Sequence, residues 1–338
     1  MTTGDRTIDL TDGQRATAPP RQGLTDRHIP DDGKGRHADS PLEIPAKGWR
    51  DVLKRSFKQL KADNVPILSA AVAFYLFLSL IPGLAACISL YGLVSDPREV
   101  AQTISDLTSG LPPAARELVV NQATEIANAE PSKLSLSLAI SVAVALFSAS
   151  KGTQSLVKAL NITYNEPETR GFLKLRLLSL GLTIAIFLFA IAAVVAIVKV
   201  GDLAEDLPGG GMLVTALRWP LLGALLVVVL AGLYRVSPDR NDPKLRWTTP
   251  GAIVAAILIA VASLALSVYT SRFGDQAESG VLGAVGVLLL WLFACAYMIL
   301  LGAEIDSELE HQTARDTTVG PEEPLGERDA NMADTVAR

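Results

Sequence analysis

Histidine and cysteine are nearly missing from this chain. Its 338 residues include three histidines, His28, His37 and His311, and two cysteines, Cys87 and Cys295. The histidines lie toward the chain ends and the cysteines form no CxxC pair, so spacing yields no zinc-ligand set. Neither a metal nor a cofactor is expected. A GxxxxGKS/T phosphate loop and a GxSxG elbow are also absent, which removes the signatures of ATP-driven pumps and α/β-hydrolases. With no catalytic set, the chain reads as a non-enzyme. Charged residues make up 19% and gather in the tails and in short patches, leaving none between Ala70 and Leu84. The net charge of −5 is driven by the tails and says nothing about a nucleic-acid partner.

What remains is apolar. Hydrophobic residues make up 49% of the chain and concentrate in six long runs: 66–94, 134–156, 177–198, 219–234, 251–269 and 281–302. A helix crossing a bilayer needs about 20 predominantly apolar residues. The pattern predicts an all-α fold, a polytopic membrane protein with six transmembrane helices over residues 65–310. Basic residues cluster before the first run (Lys47 to Lys61), between the second and third (Lys158 to Arg176) and between the fourth and fifth (Arg235 to Arg246). Positive charge in short loops marks the cytoplasmic side, so both termini are expected to be cytoplasmic.

The flanks read differently. Residues 1–46 and 311–338 are polar and charged, and are expected to be disordered cytoplasmic tails; the first shows no secretory signal pattern. Residues 47–64 carry Trp49, Val52, Leu53, Phe57 and Leu60 at helical spacing opposite Lys and Arg. That pattern predicts a basic amphipathic helix on an anionic leaflet. In the first outer loop, Val100, Ile104 and Leu107, then Leu118, Val119 and Ile126, predict two short amphipathic helices.

Polar residues inside the runs are the candidates for function. Ser148, Lys151, Ser155 and Lys158 share one face through steps of three and four, which can line a polar cavity attracting anions. Snorkelling of Lys151 to headgroup level is the competing reading. Glu304, expected at a similar depth, is the candidate counter-charge for Lys151; a solvated acid is the alternative. In "AAVAFYLFLSLIPGL", Pro82 and Gly83 permit a kink, and Tyr75 and Ser79 are expected on the inward face with Ala71 and Ala86. Gly280, Gly283 and Gly286 are the expected points of close helix packing.

Several stretches carry a family resemblance: "LSAAVAFYLFLSLIPGL", "LFSASKGTQSLVKALNITYNEPETRGFLKLRLLSLGLT", "LRWPLLGALLVVVLAGLYRVSPD", "TTPGAIVAAILIAVASLALSVYTSRFG" and "LGAVGVLLLWLFACAYMILLGAEIDSELE". In this order they resemble the YihY/virulence factor BrkB family, whose older label is ribonuclease BN-like. The family usually has aromatics near Asp275 and Ser279, where this chain is polar. The resemblance implies six helices in the bacterial inner membrane, an association with envelope integrity, and a proposed transport role. The ribonuclease label conflicts with the missing acid/base and metal residues. The expected function is a transporter-like or lipid-handling protein of the cell envelope, with membrane lipids as partners and an anionic lipid or solute as substrate. The alternative is a non-transporting envelope scaffold. Homo-oligomerisation is left open, and no nucleic-acid partner is expected.

Overall fold

Long apolar runs become long helices. The structure is a computed structural model that describes residues 30, 32–91, 136–205, 210–273 and 280–337, with scattered positions between 113 and 124. Seven α-helices are described: α1 (Ala46–Ala62), α2 (Val65–Tyr91), α3 (Leu136–Thr163), α4 (Phe172–Glu205), α5 (Gly210–Val236), α6 (Leu245–Phe273) and α7 (Gly280–Glu310). No strand occurs among the described residues; one isolated bridge joins Pro243 and Thr318. By length and composition alone, α4, α5, α6 and α7 can each cross a membrane, and the bent pair α1–α2 is a fifth candidate.

The helices pack in chain order. α2 lies on α3, α3 on α4, α4 on α5, α5 on α6 and α6 on α7, and α7 returns to α2, closing a ring. α1 lies across the end of α7. α2 runs unbroken through Pro82, and the sharp turn falls earlier: α1 and the first part of α2 meet at 67°. Asn64 makes that corner with a φ of 53° in the left-handed region, which Asn tolerates better than most residues.

Two helices cross at unusually short range. Gly251 of α6 and Gly302 of α7 lie backbone to backbone, and a Cβ on Gly302 would sit 2.5 Å from the Gly251 carbonyl. Gly286, expected to be a packing glycine, has nothing within 4 Å of where its Cβ would be. The Gly251 N–H donates to Asp306 Oδ1 at 2.7 Å. α7 therefore runs on past the apolar run, and Glu304, Asp306, Glu308 and Glu310 are all buried at its end.

The expected disorder does not hold for the two flanks the structure describes. Residues 311–337 fold back over the loops 164–171 and 237–244, and residues 32–45 pack beside them. Polar contacts order these segments, which is why their low hydrophobicity misled. Arg328 is fully buried and donates to the backbone carbonyls of Ala314, Arg315, Glu323 and Ala333 at 2.7–3.2 Å. Ala314 N–H donates to Arg36 O, and Thr313 Oγ to Ala38 O, which ties both flanks to one end of the ring. Residues 1–29 lie outside the described residues. So does most of the first outer loop, although positions 116, 117, 119–121 and 124 are helical.

The tail has a pH signature. Burial pushes the Asp316 carboxyl up, but hydrogen bonds from Thr318 and Glu323 and the nearby Arg328 outweigh it and hold the group below the usual range. Its contribution to stability is complete above the ordinary aspartate pKa and is lost as pH falls through the depressed value. Arg328→Ala removes charge-assisted bonds worth on the order of 3 kcal/mol together. Limited proteolysis is expected to cut the variant between residues 311 and 337 at neutral pH, and to cut wild type there only in acid.

Candidate functional site

The site begins with one hydroxyl in α2. Ser79 is buried, and its Oγ donates to Tyr75 O at 2.7 Å, the usual route for a hydroxyl to satisfy itself inside a helix. The same Oγ accepts the Gly152 N–H of α3 at 3.2 Å and lies 3.4 Å from Ser148 O. It thus sits beside the 148–152 turn of its neighbour. Gly152 makes the approach possible, because a Cβ there would lie 2.9 Å from Leu76 Cδ2 and 3.1 Å from Ser79 Oγ. At the next residue, the Thr153 and Thr183 hydroxyls meet at 2.8 Å, and Thr183 donates onward to Ser179 O.

Around these hydroxyls is an apolar cavity of about 300 Å³. Leu76 and Leu80 of α2, Ala149 and Leu156 of α3, Ile186 and Phe187 of α4, and Leu292 of α7 line it beside Ser79, Thr153 and Thr183. Its volume is at the lower end for ligand pockets, roughly 300–1,000 Å³. The polar atoms already have partners within the protein, so the cavity presents mainly hydrocarbon. Ser79 was legible in the sequence as an inward residue; Gly152, Thr183 and the cavity were not.

The other sequence candidates fall elsewhere. Lys151 and Lys158 are exposed, and Ser148 and Ser155 are half-buried; the lysines do not line this cavity. The buried face of α3 is Ala149, Ser150, Gly152, Thr153, Leu156 and Val157, adjacent to the expected one. Glu304 is fully buried, but it meets Asp63 at the α1–α2 corner, and no ion pair joins it to Lys151. Tyr75 is 42% exposed and lies edge-on to Phe74, outside the inward face. Pro82 is half-buried within the helix and Gly83 is helical with it, while the sharp break between helices lies at Asn64.

A second, polar cavity of about 500 Å³ lies at the end of the ring where the flanks pack, lined by Glu166, Thr169, Asp239, Arg240, Asn331 and Asp334 among others. Its charges are already engaged. Burial raises the Glu166 pKa although Asn331 N–H donates to it. Burial also acts on Asp239, but the Thr169 N–H and hydroxyl, with Arg170 nearby, hold its pKa low. Among the described residues no three His, Cys, Asp or Glu side chains converge on a metal position.

A family model described as virulence factor BrkB matches residues 56–325, from the middle of α1 into the ordered tail. The chain belongs to the virulence factor BrkB family. The resemblance read from the quoted stretches is therefore shown. A relative from Bacillus subtilis (strain 168), named putative ribonuclease-like protein YfkH, is 30% identical over 265 residues, covering 76% of this chain and 94% of its own length. UPF0761 membrane protein RC1_0578 of Rhodospirillum centenum is 30% identical over 172 residues, 50% of this chain and 38% of that protein. UPF0761 membrane protein VP0125 of Vibrio parahaemolyticus is 36% identical over 98 residues, 28% and 30% of the two chains. Against these two UPF0761 proteins the chain matches about a third of the relative's length. No solved structure matches.

Proposed function

We propose that this BrkB-family protein is an integral protein of the bacterial cytoplasmic membrane that takes lipid acyl chains into the cavity between α2, α3, α4 and α7. The reading has α2–α7 as six spans with both termini cytoplasmic. The basic loops and the gathering of both flanks at one end of the ring support that orientation. The apolar lining of the cavity carries the lipid reading. A hydrophilic anion would need free donors there, and Ser79, Thr153 and Thr183 spend theirs on the protein. The reading assigns no catalysis, no nucleic-acid partner and no cofactor. The name of the Bacillus relative supplies a ribonuclease-like label and no residue that would perform the reaction.

The test is a filled cavity. Ala149 is buried and lines it, so Ala149→Phe places a ring in the space. Protein purified in mild detergent is expected to retain bound phospholipid by native mass spectrometry, and the variant about tenfold less, at unchanged monodispersity. Lys151→Ala is expected to leave bound lipid unchanged. Equal retention by wild type and Ala149→Phe would overturn the acyl-chain reading and favour the non-transporting scaffold.

A further inference from the structure

We infer that the outward face of α1 is a binding surface for anionic phospholipid. The helix divides into sectors around its axis. Gly48, Val52, Ser56 and Leu60 are buried, and Ser56 Oγ reaches Glu304 O of α7 at 3.4 Å. The next sector holds Trp49, which is half-buried with its indole N–H on Pro41 O, and then Leu53 and Phe57, apolar residues at helical spacing that the protein leaves uncovered, 40% and 60% exposed. The sector beyond holds Lys47, Arg50, Lys54, Lys58 and Lys61.

These cations are unspent. Arg55, on the packed side, pairs with Glu308 at 2.5 Å and donates to Gln312 Oε1. None of the five on the outward side makes an ion pair among the described residues. On the open surface of α1, Trp49, Leu53 and Phe57 lie directly beside Arg50 and Lys54. This apolar strip with cations along its side matches one chain and one phosphate of an anionic lipid.

Orientation supports the same occupant. With α2 along the bilayer normal, the 67° bend leaves α1 within about 25° of the membrane plane. A helix held there, with an apolar stripe beside a basic one, places the stripe among acyl chains and the charges among headgroups. A protein partner would not need that alignment. The inference does not depend on the cavity reading, since no α1 residue lines that cavity.

Full-length protein in nanodiscs containing phosphatidylglycerol and phosphatidylcholine, each in turn carrying a fluorescent tag, tests this by photocrosslinking. p-Benzoylphenylalanine replaces Phe57 in one sample and Leu264 in another; Leu264 lies on α6 and is 67% exposed, and reports folded insertion. Position 57 is expected to label phosphatidylglycerol in preference to phosphatidylcholine by about fivefold or more, while position 264 labels both alike. Arg50→Gln with Lys54→Gln, or about 1 M salt, is expected to bring position 57 to parity without changing position 264. Equal labelling of the two lipids at position 57, a preference that survives Arg50→Gln with Lys54→Gln, or lipid labelling at 264 with none at 57 would each overturn the inference.

Discussion

Gly251→Val is expected to leave little folded, monodisperse protein after extraction into mild detergent, and Gly251→Ala to lower the melting temperature clearly. The reason is what a side chain would strike. A Cβ at Gly251 overlaps the Gly302 carbonyl and comes within 2.6 Å of Asp306 Cγ; one at Gly302 comes within 2.7 Å of Tyr234 Oη. None of these can swing aside. The first is the backbone of the facing helix. Asp306 is held by the Gly251 N–H at 2.7 Å, and Tyr234 Oη donates to Ile299 O at 2.6 Å. Relief therefore means separating α6 from α7, which also breaks the bond to Asp306 and leaves a buried carboxyl group without its donor. Overpacking alone costs about 1–3 kcal/mol; leaving that buried polar group unsatisfied adds roughly 1–3 kcal/mol. Gly286→Ala is the control, because that position faces open space and alanine is the better helix former. Wild-type melting of Gly251→Ala would show that the two helices are not fixed at this crossing.

How much of this was legible in the sequence depends on the kind of signal. Helices were: uninterrupted apolar runs force them, since backbone groups in lipid must pair within the segment. Faces were not. A span apolar all round carries no periodicity to separate its lipid side from its protein side. Tyr75 was therefore assigned inward with Ser79, and the structure keeps only Ser79 there. Glycine is equally mute. Gly251 and Gly302 meet because two distant turns coincide in space, whereas the clustered Gly283 and Gly286 stood out only by proximity in sequence. Matched depth suggested Lys151 for Glu304, but depth leaves the angle around the helix open, and Asp63 occupies it. For α1 the amphipathic pattern was readable, although its wide apolar stripe is shared: Val52 and Leu60 pack on the protein while Leu53 and Phe57 do not. The ordered tail was invisible for another reason. Arg328 binding four carbonyls leaves no hydrophobic pattern to find.

Arg240→Met is expected to destabilise the protein by about 3–5 kcal/mol, the usual result of removing one partner from a buried ion pair. Arg240 grips Glu310 with both terminal nitrogens, Nη1 to Oε2 and Nη2 to Oε1, each at 2.8 Å, and neither side chain is exposed. Burial pulls the guanidinium pKa down, but the facing Glu310 carboxylate more than offsets it and holds it above its ordinary value, so Arg240 stays charged. Its guanidinium carbon also lies 4.3 Å over the Tyr164 ring. Alone, Glu310 would keep only the Thr317 hydroxyl at 3.1 Å, too little for a buried carboxylate. Arg240→Lys should recover part of the loss, since an ammonium keeps the charge without the two-pronged geometry. Arg240→Met combined with Glu310→Leu is the discriminating variant. Replacing both charges by apolar groups of similar volume is often neutral or stabilising. The double variant is therefore expected to melt well above Arg240→Met, with a coupling of opposite sign to the two single losses. If it instead melts at the sum of the singles, the pair acts less through its buried charges than through what each residue holds separately: Glu310 the tail at Thr317, Arg240 the ring of Tyr164.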